Sequence, residues 1–420
     1  MKVHLQYGRD GIDIELPFSQ VTVVQPKFIP GLADEQAEFI KSCRKPVDSL
    51  PLKELIRTED QVAVVIPDGT RAMPSDRLLP WLFSELAHIP SQNFTIILGT
   101  GTHRPNTPEE ILQIVGPNIA GNFNVINHNA YDDAALSDTG LINELGTPLR
   151  MNKEYVKADK RIILGFIEPH FMAGFSGGYK AVFPGITDIN SILDYHRAEI
   201  IGHSHSTWGI PKENPTQDRI RQFGSALPVD FLINITLNEQ RAITGFFCGN
   251  VIKAHEIGCS FTQETAMTGV DTPFPLVITT NSGYPLDQNL YQSVKGMVAA
   301  AEIATQGGEI LLAAECSDGF PDHGNFSRLV FEHDSPQAML NTVFQPGFRL
   351  LDQWQIQKLA QVQMKARISV YSQIPAEKIQ KANINPVTDI QEYLNQTRIK
   401  LGDIPIAVLP EGPLTIPYLL

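Results

Sequence analysis

The stretch RIILGFIEPHFMAGFSGGYKAVFPG (residues 161–185) joins a short apolar run to a loop with four glycines, one histidine and one lysine. The run RIILGFI is typical of a strand that is buried on both faces. Similar runs occur earlier in the chain, namely VAVVIPD (62–68), FTIILGTG (94–101) and FNVINHN (123–129). Helical patterns, SDRLLPWLFSELAHI and TPEEILQIVG, separate these three runs. Strands that alternate with helices predict a parallel, doubly wound sheet.

A second series of strand and helix patterns begins near residue 270, after the segment GVDTPFP. The expected strands are PLVITTN, EILLAAEC, ARISVYS and PIAVLPEGP, and the expected helices are LDQNLYQSVKGMVAAAEIATQ and DQWQIQKLAQVQMKA. The predicted fold class is therefore α/β, with two α/β domains that have mainly parallel sheets. We expect an N-terminal domain over residues 1–268 and a C-terminal domain over residues 269–420. Two such domains usually bind ligands at the carboxyl ends of their strands, which predicts an interdomain active-site cleft.

Composition narrows the class of partner. The chain has 420 residues and a net charge of -13, which argues against nucleic acid or an anionic membrane as the main partner. Its four cysteines are far apart and form no C-x-x-C pair, so neither a disulfide framework nor a structural zinc site is indicated. The N-terminal segment MKVHLQYGRDGIDIELP lacks an apolar signal core and is typical of a β-hairpin. We expect a cytoplasmic protein that binds a small molecule.

Polar residues follow three of the predicted strands. Asp68, Thr70 and Arg71 come after the first, and His103 after the second. His170 follows the third of these strands and opens the glycine loop. A single histidine in such a position is more often a hydrogen-bonded structural residue than a catalyst. Two in equivalent positions suit general acid–base chemistry near neutral pH as well as they suit structural roles.

The loop GFSGGYK invites comparison with phosphate-binding loops. Glycines let backbone N–H groups approach an anion, but the spacing G-x-x-x-x-G-K-[ST] is not met, because Tyr179 precedes Lys180 and Ala181 follows it. A nucleotide-hydrolysing enzyme is therefore not indicated. An anion-binding loop stays open, as does a solvated lysine on a turn.

Further candidates lie downstream. His196, His203 and His205 could ligate a metal, but without a matching set of other donors a polar loop is the simpler interpretation. Tyr291, Gln292 and Lys295 share one helix face, which could hold a carboxylate or could be an ordinary amphipathic edge. Glu315, Asp318 and His323, all within AECSDGFPDHG, fit a turn or an interdomain contact.

Five motifs occur together and in order: PDGTR, GTGTHRP, EPH-x-x-AGFSGG-x-K-x-x-x-PG, YQSVKG and AECSDG. In this combination the chain resembles the nickel-dependent lactate racemase family of 2-hydroxyacid racemases and epimerases. The resemblance covers roughly residues 10–415. It implies two α/β domains and a nickel pincer nucleotide, a pyridinium mononucleotide that binds nickel through two sulfur atoms and one carbon. It also implies partner proteins that synthesise and insert this cofactor.

The resemblance also implies roles for individual residues. Lys180 would tether the nucleotide through a thioamide, His196 would be the fourth nickel ligand, and His103 and His170 would be the acid–base pair. The remaining expected contacts are Asp68, Thr70, Gly177 and Gly178 to the cofactor, and Arg71, Tyr291, Gln292, Lys295 and Trp354 to the substrate, with Asp68 also orienting Arg71. The implied reaction is proton-coupled hydride transfer through a 2-keto acid, which avoids the dianion that direct carbon deprotonation would create.

Two questions stay open at this level. The motifs do not distinguish lactate from malate, longer hydroxy acids or sugar acids, although Arg104 is placed to meet a second carboxylate. A protein of the same fold that binds a mononucleotide or an organic acid without turning it over is the alternative to an enzyme.

Overall fold

The computed structural model describes residues 1–71, 73–322 and 324–420. The strands, in chain order, are β1 (Lys2–Leu5), β2 (Ile12–Glu15), β3 (Val21–Val23), β4 (Val62–Pro67), β5 (Phe94–Gly99), β6 (Asn124–Asn127), β7 (Leu136–Ile142), β8 (Pro148–Asn152), β9 (Lys160–Phe166), β10 (Pro169–His170), β11 (Gly174–Phe175), β12 (Phe231–Leu237), β13 (Ile243–Gly249), β14 (Met267–Val270), β15 (Phe274–Thr280), β16 (Ala304–Ala313), β17 (Arg367–Tyr371), β18 (Asn385–Val387), β19 (Ile406–Leu409) and β20 (Ile416–Leu419).

The α-helices, in chain order, are α1 (Glu35–Arg44), α2 (Leu52–Leu55), α3 (Ser75–Glu85), α4 (Pro108–Val115), α5 (Pro117–Asn122), α6 (Lys153–Lys157), α7 (Ile189–Tyr195), α8 (Ala198–Ile201), α9 (Pro215–Gly224), α10 (Val251–Ala266), α11 (Leu290–Ile303), α12 (Phe326–Phe331), α13 (Pro336–Val343), α14 (Gln353–Lys365), α15 (Ala376–Lys381) and α16 (Ile390–Leu401). Short 3₁₀ helices include Gly178–Ala181 within the glycine loop.

The chain forms two compact units. The N-unit comprises Phe28–Tyr195 and Ile210–Gln263, and the C-unit comprises Met1–Lys27, His196–Gly209 and Glu264–Leu420. This division moves the expected boundary from residue 268 to residue 263, and it departs from the expected domains in two further segments. Residues 1–27 belong with the C-unit because β3 pairs with β19, and residues 196–209 belong there because α14 holds them by hydrogen bonds.

The N-unit is built on a sheet with the strand order β13-β12-β9-β4-β5-β6. The strands from β12 to β6 are parallel, and only β13 runs antiparallel, against β12. The interior of β4, Ala63–Ile66, is fully buried, as the unbroken apolar run predicts for a strand covered on both faces. Helix α4 begins at the expected Thr-Pro, where the Thr107 hydroxyl accepts a hydrogen bond from the Glu110 N–H at 3.2 Å and completes a capping box.

The C-unit contains a parallel sheet with the strand order β18-β17-β16-β15-β19-β3. The expected N-terminal hairpin forms as the antiparallel pair β1 and β2, and its residues Val3, Leu5 and Ile14 join one apolar core with the sheet residues Leu276 and Ile278. The prediction of α/β architecture with mainly parallel sheets is confirmed. Within the described parts of the chain, no helix has the length and apolar character that crossing a bilayer requires.

Candidate active site

Three neighbouring strands of the N-unit deliver the polar residues that the sequence singles out. Strand β4 lies between β5 and β9 in the sheet, and all three run in the same direction. Asp68 follows β4 and His103 follows β5, while His170 lies just after β9 in the short strand β10. The carboxyl ends of parallel strands share one edge of a sheet, so the three residues belong to the same edge.

Asp68 is a buried carboxylate that holds two neighbours. Its side chain is only 4% exposed, its Oδ2 accepts a hydrogen bond from His103 Nδ1 at 2.7 Å, and its Oδ1 accepts one from the Thr70 hydroxyl at 2.6 Å. Burial acts to raise the pKa of Asp68. The hydrogen bond and charge of His103, the Thr70 hydroxyl and the charge of Arg71 outweigh that effect, so the pKa lies below its usual value. Asp68 is therefore ionised at neutral pH.

This carboxylate fixes the proton of His103. An ionised carboxylate can only accept hydrogen bonds, so Nδ1 of His103 carries a proton and Nε2 of the neutral ring carries the lone pair. The His103 side chain is 46% exposed, which leaves the ring open to a ligand. Such an arrangement prepares Nε2 to accept a proton and stabilises the imidazolium that results.

Arg71 contacts Thr70, which in turn is bound to Asp68. Its Nη1 lies 3.4 Å from the Thr70 hydroxyl and 3.5 Å from the Thr70 carbonyl oxygen. The guanidinium is exposed. Asp68 and Arg71 are thus linked through the Thr70 hydroxyl, which both side chains contact.

His170 is held by the turn that follows it. Strands β10 and β11, each two residues long, form an antiparallel hairpin in which His170 pairs with Gly174. The Nδ1 atom of His170 accepts hydrogen bonds from the backbone N–H groups of Met172 and Ala173, at 3.3 and 3.1 Å. The ring orientation is therefore set by its own backbone.

The glycine loop packs on two residues that the sequence analysis did not select. Gly178 has φ +54°, its N–H donates to Asn234 Oδ1 at 2.8 Å, and a Cβ placed on it would lie 2.9 Å from Cγ of the His255 ring. A Cβ at Gly177, where φ is +82°, would lie 2.7 Å from Asn234 Oδ1. Only glycine fits such positions without displacing the loop. The loop thus owes its conformation to Asn234 on β12 and His255 on α10.

His255 is a structural histidine. Its Nε2 donates to the Ser176 carbonyl oxygen at 2.8 Å, and burial lowers its pKa to about 4, although that hydrogen bond opposes the shift. His128 is similar, since burial lowers its pKa to about 4 and its Nε2 lies 2.9 Å from the Thr187 carbonyl oxygen. Both rings are neutral near pH 7, and both anchor loops at the same edge of the sheet.

A backbone hydrogen bond ties the loop after β5 to the end of the glycine loop. The N–H of Gly101 donates to the Gly185 carbonyl oxygen at 3.0 Å. Lys180 precedes Gly185 in the glycine loop, lies in the 3₁₀ helix Gly178–Ala181 and is half-buried. The histidine that follows β5 and the predicted tether are thus on directly connected loops.

In the C-unit, three predicted site residues contact one another in sequence. The rings of His196 and Trp354 lie 4.1 Å apart between centroids at an interplanar angle of 31°. The indole N–H of Trp354 donates to the Tyr291 hydroxyl at 3.3 Å. The predicted nickel ligand and two predicted substrate contacts therefore form a single connected group.

Helix α14 holds the segment that carries His196. Gln353 Nε2 donates to the His196 carbonyl oxygen at 3.0 Å, and Gln357 Nε2 donates to the Ala198 carbonyl oxygen at 2.8 Å. Lys358 Nζ donates to the Ser206 carbonyl oxygen at 2.9 Å. The sequence analysis did not select these residues, because their polar side chains look like the solvated face of an amphipathic helix until residues 196–209 cover them.

Helix α11 presents the other substrate candidates. Asn289 caps the helix by accepting a hydrogen bond from the Gln292 N–H at 3.0 Å, and Lys295 Nζ donates to Gln292 Oε1 at 2.8 Å. The i, i+3 spacing thus becomes a direct contact, as the pattern predicts. The amide of Gln292 keeps its N–H₂ group for another acceptor, and the ammonium of Lys295 supplies a positive charge beside it.

The remaining candidates form contacts with residues outside the predicted site. His203 is exposed, and its Nδ1 accepts a hydrogen bond from the His205 N–H at 3.2 Å. Arg104, 69% exposed, forms an ion pair with Glu110 at 2.6 Å. Glu315 accepts a hydrogen bond from the Gln373 side chain at 3.1 Å. His323 lies outside the described residues.

Family models and solved structures were compared with this chain. Residues 7–209 match the lactate racemase N-terminal domain and residues 271–416 match the lactate racemase C-terminal domain. A lactate racemase of Thermoanaerobacterium thermosaccharolyticum is 32% identical over 418 residues, which cover 98% of this chain and 97% of the relative. The chain belongs to the lactate racemase family. It is therefore an isomerase of the racemase class, and the resemblance seen in the motifs is confirmed.

Further comparisons identify similar proteins of known name or structure. A lactate racemase of Lactiplantibacillus plantarum is 31% identical over 383 residues, which cover 90% of each chain. The structure of the lactate racemase apoprotein from T. thermosaccharolyticum superposes with a TM-score of 0.90 at 29% identity, covering 99% of this chain and 100% of that one. A Thermotoga maritima protein of known crystal structure shares the fold, with a TM-score of 0.69 at 17% identity over 94% of this chain and 100% of its own.

The donor set of the described residues fits the cofactor that this family implies. Among those residues, no group of three or more His, Cys, Asp and Glu side chains could hold a metal ion. A nickel site that takes most of its donors from a nucleotide needs only one protein ligand, and the imidazole of His196 is a donor that nickel accepts in a square plane. The primary amine of Lys180 is the group that a thioamide tether requires.

Proposed function

We propose that this racemase interconverts the enantiomers of a 2-hydroxy acid, lactate or a related acid, by proton-coupled hydride transfer through a 2-keto acid. The observation that carries the proposal is the buried Asp68 carboxylate, 2.7 Å from Nδ1 of the half-exposed His103. This pair provides a base at the carboxyl edge of the sheet. A positioned base of this kind contributes roughly 10²- to 10⁴-fold to a rate.

The proton chemistry falls to two histidines. His103 accepts the hydroxyl proton of the substrate at Nε2, and the negative charge of Asp68 stabilises the imidazolium. His170 acts on the substrate oxygen of the other enantiomer. Because a keto acid is planar at the reacting carbon, it can receive hydride on either face, and the product enantiomer depends on which face that is.

The substrate carboxylate is held by Arg71, Gln292 and Lys295. Guanidinium, amide and ammonium groups all donate hydrogen bonds to a carboxylate, and the two cations supply the charge that it needs. Tyr291 and Trp354 line the pocket, and their mutual hydrogen bond fixes both rings. These residues keep the substrate in place while the proton and the hydride leave.

The cofactor is a nickel pincer nucleotide on Lys180. Asp68, Thr70, Gly177 and Gly178 bind the nucleotide, and His196 supplies the protein ligand to nickel. When bound, such a group accepts a hydride from the substrate carbon and returns it, which spares the enzyme a carbanion beside a carboxylate. The tight packing of Gly177 and Gly178 on Asn234 and His255 supports this role, because it leaves a bare backbone beside Lys180.

The test combines mass spectrometry with a chiral assay. The protein is produced together with a pincer-nucleotide synthesis pathway and nickel, and the mass of the Lys180 peptide is measured. We expect a nucleotide-sized adduct and interconversion of D- and L-lactate, or of a related acid in a panel of 2-hydroxy acids. His103→Ala should lose at least about 100-fold in rate and keep the adduct, because the base does not form the tether.

The exposed His203 provides the matched control, and His203→Ala should retain full activity. An unmodified Lys180, with a lactate racemase modified in parallel, would refute the cofactor assignment. An adduct without turnover of any acid in the panel would favour a protein that binds organic acids without reaction.

A further inference from the structure

The ring of His196 is covered on one face by the indole of Trp354. The two ring centroids are 4.1 Å apart at an interplanar angle of 31°, and both residues are buried. The last torsion of a histidine side chain has broad minima, so the backbone alone does not fix the plane of its ring. A flat neighbour at stacking distance restricts that plane, because turning the imidazole about its Cβ–Cγ bond would break the contact with the indole face.

Trp354 is itself held by Tyr291. The indole N–H donates to the Tyr291 hydroxyl at 3.3 Å. The Tyr291 ring forms a T-shaped contact with the buried Phe326 ring, at 5.3 Å between centroids, and the Gln355 side-chain amide donates to the Tyr291 carbonyl oxygen. A chain of contacts therefore runs from the interior of the C-unit through Tyr291 and Trp354 to the imidazole of His196.

The residue before Trp354 on α14 fixes the backbone of His196. Gln353 Nε2 donates to the His196 carbonyl oxygen at 3.0 Å, and Gln353 Oε1 accepts from the Leu350 N–H at 2.7 Å, so both ends of this buried amide are bound. Consecutive residues of one helix thus hold the carbonyl group and the ring of the same histidine. Gln353 restricts where His196 lies, and Trp354 restricts the direction in which its ring nitrogens point.

We propose that Trp354 is a positioning residue for the nickel ligand His196, in addition to lining the substrate pocket, and that the Tyr291 hydroxyl acts through Trp354. The inference rests on the proposed function for the assignment of His196 to nickel, but not for the stacking. A bond to a metal requires that the lone pair of one ring nitrogen points at the metal, so an imidazole that is already held in one plane loses less freedom on binding. Loss of a side chain that orients a metal ligand typically lowers metal affinity by about 10- to 100-fold.

The first experiment tests the stacking in the full-length apoprotein. Ring-proton signals of isotope-labelled histidine are recorded and are assigned to His196 by their loss in His196→Gln. An indole face shields protons that lie over it, so we expect the His196 signals upfield of those of free histidine. Trp354→Leu should move them back, whereas the matched control Trp81→Leu, which removes a tryptophan packed on Phe39 in the N-unit, should leave them unchanged. Unshifted His196 signals in the parent protein would overturn the inference.

The second experiment measures nickel release from the cofactor-loaded protein. The protein is mixed with excess chelator, and its metal content and the visible absorption of the nickel centre are followed. Trp354→Leu should release nickel about 10- to 100-fold faster than the parent and change the absorption, because the imidazole is then free to turn. Trp354→Phe keeps a ring for stacking and should recover most of this loss, and Trp81→Leu should match the parent. Equal release rates for Trp354→Leu and Trp354→Phe would refute the positioning role.

A double-mutant cycle tests the part assigned to Tyr291. Tyr291→Phe and Trp354→Phe each remove the hydrogen bond between these two residues and keep a ring at both positions. Each should accelerate nickel release by about 2- to 13-fold, as the loss of one hydrogen bond predicts, and the double variant should be no faster than the faster single variant. Effects that multiply would show that the two residues act independently, which would overturn the linkage through Trp354. These conservative variants also decide the question if Trp354→Leu does not fold.

His196→Ala separates this inference from the proposed function. If this variant retains nickel as well as the parent does, then His196 is not a ligand, and the ligand assignment fails together with the inference. If His196→Ala loses nickel while Trp354→Leu and Tyr291→Phe release it at the parent rate, the ligand assignment stands and the positioning role alone is wrong.

Discussion

Lys358 offers a quantitative test of how the segment around His196 is held. Its side chain is 7% exposed, its Nζ donates to the Ser206 carbonyl oxygen at 2.9 Å, and Glu302 lies close enough to affect its charge. Burial lowers the pKa of Lys358 from 10.5 to about 8, although the charge of Glu302 opposes the shift. At neutral pH Lys358 is therefore charged in the folded protein, although its burial disfavours the charged form.

The size of this effect follows from the pKa difference. One pKa unit corresponds to about 1.4 kcal/mol, so the charged form lowers the free energy of unfolding by about 3 kcal/mol at pH 7. The unfolded chain binds more protons than the folded chain between the two pKa values, so this deficit shrinks as pH rises. About 2 kcal/mol of it should be regained by pH 9.5.

Lys358→Met removes the titration and keeps the length of the side chain. At pH 7 the variant gains the deficit of about 3 kcal/mol but loses a charged hydrogen bond worth about 1.5–3 kcal/mol, so its stability should equal or slightly exceed that of the parent. Between pH 7 and pH 9.5 the free energy of unfolding of the variant should fall by about 2 kcal/mol relative to that of the parent. This corresponds to about 4–8 °C in Tm for a unit of this size.

The assay is thermal unfolding of both proteins at a series of pH values. Lys365→Met serves as the control, because Lys365 lies on the same helix and donates to the Ala301 carbonyl oxygen but is only partly buried. The Tm difference between control and parent should change less with pH than that of Lys358→Met, because Lys365 is less buried. Parallel Tm profiles for Lys358→Met and the parent would refute the reasoning.

Three further predictions follow from the N-unit and the thiols. Asp68→Asn should lower kcat in both directions by about 10²- to 10⁴-fold, because Nε2 of His103 would then carry the proton; a rate within threefold of the parent's would contradict this. Gly178→Ala should lower the free energy of unfolding by about 2–4 kcal/mol, since the new Cβ meets the His255 ring and the residue has a positive φ. Gly140 also has a positive φ but has open space around it, so Gly140→Ala should lose only about 1 kcal/mol. Equal losses would show that the contact with His255 is unimportant. All four cysteines are buried and form no disulfide, and burial raises the pKa of Cys316 and Cys259 to about 12. A thiol reagent at pH 8 should therefore label no cysteine in the folded protein and all four in denaturant. Rapid labelling of the folded protein would contradict the burial.

The main sheets could be predicted because their strands are covered on both faces. Runs such as VAVVIPD and FTIILGTG contain enough consecutive apolar residues to be read locally, and the structure places β4 and β5 there. The edge strand β3 could not, since its three residues become a strand only by pairing with β19. The crossing of residues 196–209 to the C-unit likewise depends on distant partners.

Some residues of the candidate site could likewise be predicted from the sequence, and others could not. His103 and His170 could be selected because they follow strands, and a carboxylate near the first was visible in PDGTR. Asn234 and His255 could not, although an asparagine in the middle of the apolar strand FLINITL is a signal that a buried partner exists. The segment FLINITL does not show which backbone N–H this asparagine binds, because its partner Gly178 lies 56 residues away in the chain.

The pairing of β3 with β19 has a consequence for synthesis on the ribosome. Every residue of the N-unit has been made once the chain reaches Gln263, but β3 must wait for a partner about 380 residues further along the chain. At ordinary rates of translation this interval lasts about 20–80 s. During it the newly made segment Met1–Lys27 has no sheet to join, and the apolar residues of its hairpin are available to chaperones.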